Sequence, residues 1–343
     1  MKPTLSDVNA LPQVQDSLDR LKKITKYGYA FGHQDTTSYG IGWKNNTIDY
    51  RSDINNVVGD FPAVYGFDIG GIEHGNANNL DDIPFDDMVV LIQKAHSKGG
   101  IITISWHADN PVSKKNSWDT TLAVKYILRG GSHHQLFLVW LSRIAEFMKR
   151  LRDENNTLIP LAFRPFHEMN GAWFWWGNPN ATPEEYQQLW KQTQSLLSSE
   201  FKVHNVYYVY APNLVANSEA YLLNYPGDVY VDFLGIDLYQ HGSSEEFRQQ
   251  LQINMEVLST IAIAKNKPFA ITEIGLENVT ISDWWTTILD KTIKNSGISW
   301  VLLWRNHSED HFFAPFLTHK STSDFKVFKD KSHVLFLNDI NAI

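Results

Sequence analysis

The chain has 343 residues, 43% of them hydrophobic, enough for a large core, and a net charge of −8. That charge argues against a nucleic-acid partner, which needs a basic face, and no run of about 18 apolar residues offers a membrane span. Cys 0 excludes disulfides, thiolate metal sites and a Cys nucleophile, while Trp 12 supplies flat faces that stack on sugar rings or simply fill a core.

The length admits two domains or one α/β barrel. Met1-Lys2-Pro3-Thr4 shows no leader peptide, as in a chain that starts in the cytoplasm or one whose leader has been removed. Residues 4–25 read as an amphipathic helix, with Leu11, Val14, Leu18, Leu21 and Ile24 at helical spacing. Eight apolar runs follow as strands: 29–35, 62–68, 101–107, one from Ile159 through Phe163, 206–213, 233–239, 269–273 and 300–305. Helical segments lie between them, the clearest at 84–98, 132–152, 182–199, 244–265 and 282–295. Thr182-Pro183-Glu184-Glu185 is a helix start, as is Ser244-Glu245-Glu246, and Gly99-Gly100 and Gly297 are stops.

Continuous apolar strands alternating with helices imply a parallel sheet buried on both faces. Eight of them predict an α/β fold, a single (β/α)8 TIM barrel over residues 1–343 with the N-terminal helix at about 4–25 and a C-terminal appendage at about 320–343. Gly32-His33-Gln34 after the first strand is no dinucleotide fingerprint, and nothing else calls for a cofactor or a metal.

The strand ends carry the chemistry. They finish on Asp35, Asp68, His107, Glu168, Asn213, Asp237 with Tyr239, Glu273, and Trp304-Arg305-Asn306-His307, which a barrel gathers on one face. Glu168 and Glu273 are separated by three strand–helix units of roughly 35 residues, which places them over a common cleft. Two carboxyls over one cleft suit glycoside hydrolysis, one protonated to expel the leaving oxygen and one ionised to attack or to activate water. Glu168 precedes Trp173-Phe174-Trp175-Trp176, and desolvation by that loop makes it the acid. Arg164, four residues before Glu168 and on the same strand face by period two, is expected to reach Glu273 or its surroundings, where a bidentate grip would hold that carboxylate charged and oriented. The plainer reading of both acids is buried ion pairing above a Trp-rich core.

Phe163-Arg164-Pro165-Phe166-His167-Glu168-Met169-Asn170-Gly171 followed by Trp173, Trp175 and Trp176 resembles the acid/base signature of glycoside hydrolase family 26, the β-mannanase family. Ser105-Trp106-His107 with Asn110-Pro111, Gly235-Ile236-Asp237-Leu238-Tyr239, Thr272-Glu273-Ile274-Gly275 and Trp304-Arg305-Asn306 resemble its third-, sixth-, seventh- and eighth-strand motifs, in the family's order, over about residues 25–320. The resemblance implies a retaining double displacement with Glu168 as general acid/base and Glu273 as nucleophile. It implies that His107, His167, Trp173, Tyr239, Trp304 and Arg305 line the subsites, Tyr239 bonding Glu273 and Trp304 forming a sugar platform. Asp68, Glu73 and Trp118 are candidate outer-subsite contacts. The implied substrate is β-mannan polysaccharide or oligosaccharide, with xylan or mixed-linkage glucan as the alternative; the implied enzyme is monomeric and secreted or periplasmic.

Two rivals stand beside this reading. His33, His107, His167 and His307 end different strands, as in a metal-dependent hydrolase, but the first strand offers one His and not a His-x-His pair. A non-catalytic sugar-binding barrel is opposed by both Glu168 and Glu273 being present.

Overall fold

A computed structural model describes residues 5–45 and 47–343. Its eight parallel strands are Tyr29–Gln34 (β1), Val64–Asp68 (β2), Ile101–Trp106 (β3), Leu161–Pro165 (β4), Val206–Tyr210 (β5), Phe233–Tyr239 (β6), Phe269–Gly275 (β7) and Trp300–Leu303 (β8). Each pairs with the next, and β8 returns to β1 through Ala30↔Trp300 and His33↔Leu303. This is the (β/α)8 barrel that the strand–helix alternation predicts. The strands are buried almost throughout because helices cover them outside and side chains fill the bore.

β1, β3, β5 and β8 stop one to three residues before the ends expected from the sequence, and β7 runs on to Gly275. Asp35, His107 and Arg305 therefore sit in the loops just beyond the sheet, while Asn213 keeps a single parallel bridge to Asp237 of β6. One irregularity lies inside it. Ile236 of β6 faces Ile271 of β7, but Asp237 faces Glu273, so Thr272 is an extra residue. A bulge of this kind turns the next side chain, and here that side chain is Glu273.

The first helix runs Pro12–Ile24 and not from residue 4: Pro12 occupies its first turn, and Asp7–Ala10 form a separate turn. Thr4 lies outside the described residues. Val14, Leu18, Leu21 and Ile24 form its buried face. Thr182 caps its helix through a full capping box. The cap of the helix Ser244–Lys265 is Ser243, one residue earlier than the sequence reading, closing a box with Glu246. The segments read at 182–199 and 282–295 include wide π turns at Leu196–Glu200 and Trp285–Asp290. The stretch after β1, unassigned in the sequence, holds a small hairpin (Tyr39–Gly40 with Trp43–Lys44) and the helix Asp53–Val58. At the far end, Thr322–Lys329 is a helix and Val334–Leu335 (β9) adds itself beside Tyr29 and Ala30 of β1.

Candidate active site

The charged centre is Arg164, buried in β4. Its guanidinium is shared between Asp237, at 2.7 Å, and Oε1 of Glu273. The expected contact with Glu273 is present, but the two-point grip is spread over two carboxylates. Burial opposes the Arg164 charge, yet Asp237 and Glu273 outweigh it and hold the group even more firmly protonated than usual. Burial pushes Asp237 up, against the pull of Arg164. Thr272, the bulge residue, donates to Asp237 Oδ1 at 2.6 Å, and Tyr239 donates to Glu273 Oε2 at 2.6 Å.

Glu168 arrives differently from the expectation. The strand ends at Pro165, and Phe166 and Glu168 take left-handed backbone angles (φ 51° and 54°), so the carboxyl is swung in by a strained turn and not by the strand's pleat. The Glu168 amide donates to Ala211 O at 2.8 Å and fixes that turn. Its carboxyl accepts from Trp173 Nε1 and from Asn213 Nδ2, each at 2.7 Å. Burial, and after it the charge of Glu273, raise its pKa to about 7 against the pull of Asn213, Trp173 and Arg164. Within the aromatic loop only Trp173 bonds the carboxyl. Trp175 and Trp176 turn inward and donate to Ala108 O and His167 O. One oxygen each of Glu168, Asp237 and Glu273 lies within 4.8 Å of the others.

A second row runs from Asp68 up into the cleft. Asp68 Oδ2 is 2.6 Å from His107 Nδ1, His107 Nε2 is 3.2 Å from His167 Nε2, and His167 Nε2 is 3.8 Å from Glu273 Oε1. All four side chains are buried. Burial disfavours a charge on His107, but Asp68 and Glu273 overcome it and raise its pKa; burial, Arg164 and His107 together push His167 well down. Burial would raise Asp68, yet His107, Ser105 and the Gly70 amide hold it well below the carboxylate range.

This corrects two expectations. Asp68 is no outer sugar contact, because both its oxygens are spent on His107, Ser105 and backbone amides. Glu73 is likewise buried, accepting from Trp106 Nε1, Asp109 N and Gly71 N. Trp118 does reach the cleft, 52% exposed and stacked on His107 at 5.4 Å.

The cleft has two lobes that meet at Glu168, Trp173, Tyr239 and His241. One, of about 270 Å³, is lined by Glu273, His107, His167, Trp118 and Trp304 among others; the second, of about 640 Å³, reaches Asn213, Leu214, Phe247 and Gln250 and does not include Glu273. Arg305 lines neither lobe. It pairs with Asp81 and Tyr39, which draw it to the β1 side. Gln240, His241, Glu277, His311 and Phe313 also line the smaller lobe, with His311 Nδ1 at 2.7 Å from Glu277 Oε1. They come from the loops after β6, β7 and β8, whose sequence has no periodicity to place them. A polar groove of about 610 Å³ lies outside the barrel between the helix Ser244–Lys265 and Lys291–Ser296, remote from the paired carboxyls.

Among the described residues, two groups bring oxygen or nitrogen donors close enough for a cation: Glu168 with Asp237 and Glu273, and Glu73 with His74 and Asp109. In the first, Arg164 already stands between Asp237 and Glu273. In the second, the Glu73 oxygens already accept three N–H groups. The strand-end histidines of the metal-dependent rival form no such group among the described residues.

The family model described as glycosyl hydrolase family 26 matches residues 7–325. A mannan endo-1,4-β-mannosidase of Bifidobacterium adolescentis is 34% identical over 281 residues, 79% of this chain and 28% of that protein. One of Bacillus subtilis is 32% identical over 234 residues, 65% of this chain and 60% of that protein. The chain therefore spans less than two thirds of the length of these curated relatives. A solved family 26 β-mannanase of Bacteroides ovatus superposes with a TM-score of 0.93 at 38% identity, covering 96% of both chains.

Proposed function

The chain belongs to glycosyl hydrolase family 26, and from that premise we propose that it cleaves β-1,4-mannosidic bonds in mannan, galactomannan or manno-oligosaccharides by double displacement. The carrying observation is the short gap between the two acids. One oxygen of Glu168 lies within 4.8 Å of one oxygen of Glu273, which fits the roughly 5–5.5 Å carboxyl separation of retaining enzymes better than the roughly 6.5–9.5 Å that an interposed water requires.

The roles follow from the surroundings. Glu273 is gripped by Arg164 and Tyr239 and attacks the anomeric carbon as a carboxylate. Glu168, its pKa raised to about 7, gives its proton to the leaving oxygen. Once Glu273 is esterified its charge is gone, and that charge was one cause of the raised Glu168 pKa. Glu168 then falls toward the ordinary range and serves as base for the incoming water. The sugar under attack must touch both acids, so the smaller lobe, which includes both, takes it. The larger lobe touches Glu168 alone and takes the leaving chain.

Mannan as substrate is supported by the names of the relatives above. Attack on another β-glycan is the second reading, since an endoglucanase H of Acetivibrio thermocellus is 32% identical over 145 residues. No described helix is long and apolar enough to cross a membrane. A monomer acting outside the cytoplasm, where polymeric mannan is met, is our reading of its setting, with residues 1–343 as one catalytic unit.

Proton NMR of the first product from a mannan oligosaccharide tests the mechanism. Retained β configuration is expected, together with a fall of several orders of magnitude in kcat for Glu273→Ala. An inverted first product would remove the double displacement, and faster turnover of glucan or xylan would move the substrate assignment.

A further inference from the structure

The row Asp68–His107–His167–Glu273 fixes more than position. A carboxylate can only accept, so His107 Nδ1, 2.6 Å from Asp68 Oδ2, carries a proton. Above the titration of His107, which Asp68 and Glu273 move upward, the ring is neutral and its Nε2 is bare. One proton must lie between the two Nε2 atoms at 3.2 Å, so it belongs to His167. The remaining nitrogen, His167 Nδ1, has no partner among the described residues, which suits a bare nitrogen better than an N–H, since a buried unpaired donor is the rarer and costlier case.

We propose that Asp68 is a positioning residue for the nucleophile: through His107 it keeps the proton of His167 on Nε2, the nitrogen turned toward Glu273 Oε1. That nitrogen lies 3.8 Å from the carboxylate oxygen, beyond hydrogen-bond reach, so with its proton donated to His107 it acts on Glu273 only as the positive edge of the ring. The opposite tautomer would present a lone pair there. The proposal rests on Glu273 being the nucleophile. The logic is that by which a buried Asp orients the imidazole of a catalytic triad.

Asp68→Asn tests it with little change of shape. Asp68 Oδ1 accepts from the amides of Gly70, at 2.8 Å, and His107, at 3.3 Å. The amide oxygen of the variant must take that place, which leaves its NH2 group facing His107 Nδ1. That nitrogen must then be bare, and the tautomers of both rings reverse. Nitrogen-15 NMR of histidine-labelled protein, read above the titration of His107, is expected to show His107 Nδ1–H and His167 Nε2–H in the wild type, and the reverse in the variant. With it, kcat should fall roughly 10–100-fold, as for loss of an orienting partner, and KM should change by less than about threefold because Asp68 is buried beneath the cleft and lines neither lobe.

A wild-type spectrum with His107 Nδ1 bare, or with the His167 proton on Nδ1, overturns the proposal even if the variant does not fold. Reversed tautomers with unchanged kcat overturn it as well. Failure of the double displacement would instead appear in the stereochemistry of the first product and would leave the wild-type tautomers as assigned.

Discussion

Tyr239 donates to Glu273 Oε2 over 2.6 Å while Arg164 holds Oε1, so each oxygen of that carboxylate faces its own donor. The two donors fix the carboxylate in one orientation, so Tyr239 helps hold the attacking oxygen at the geometry of attack. A hydrogen bond to a charged group contributes about 1.5–3 kcal/mol. Tyr239→Phe should therefore lower kcat roughly 10–100-fold, with the ester intermediate forming more slowly. Burst kinetics with an aryl mannoside would show it, and unchanged burst rates would contradict it.

Activity should fall as the pH rises through about 7, because Glu168 must be protonated to expel the leaving group and its pKa lies there. Trp173 Nε1–H stabilises the ionised form at 2.7 Å. Removing that donor in Trp173→Phe favours the protonated form, so the alkaline limb of kcat/KM should move to higher pH. Trp173 also lines both lobes, so the position of the limb is the diagnostic quantity and not its height. A limb shifted to lower pH would show that the indole acts on Glu168 in some other way.

Arg164→Leu removes the cation shared by two buried carboxylates. Stranding buried charge costs about 3–5 kcal/mol. Urea unfolding should register a loss of that size at neutral pH, with activity abolished. A variant as stable as wild type would mean that Asp237 and Glu273 find another counterion.

Trp118 is half exposed above His107 and lines the smaller lobe. Its exposure makes it dispensable for folding, and its face is available to a sugar. Trp118→Ala should raise KM about 2–10-fold, the equivalent of roughly 0.5–1.5 kcal/mol, and leave the unfolding midpoint nearly unchanged. A large drop in kcat at constant KM would assign it instead to the positioning of His107.

The barrel was legible because strands buried on both faces are written as unbroken apolar runs, and Gly stops and Thr182 mark helix limits by local chemistry. The two acids were legible because each follows an apolar strand that has no other reason to end on a charge. Their surroundings were less so. A polar residue at a strand end reads the same whether it faces the cleft or its neighbours, so the sequence does not separate Asp68, Glu73 and Arg305, which bond inward or sideways, from residues that line the cleft. The bulge at Thr272 and the left-handed turn at Phe166 and Glu168 depend on what the neighbouring strands do, so strand periodicity alone does not give the path to Glu168. His241, Glu277 and His311 come from three loops that meet only in space.

The seam of the barrel joins Ala30 to Trp300, and Val334 then pairs outside it with Tyr29. Partners so far apart along the chain cannot meet until nearly all of it is available, and ordering so long a loop is slow. During synthesis β1 must wait with one edge unpaired, open to mispairing, until Trp300–Leu303 emerges. Assembly is therefore expected to be limited by this last stitch, and fragments ending before it should stay prone to aggregation.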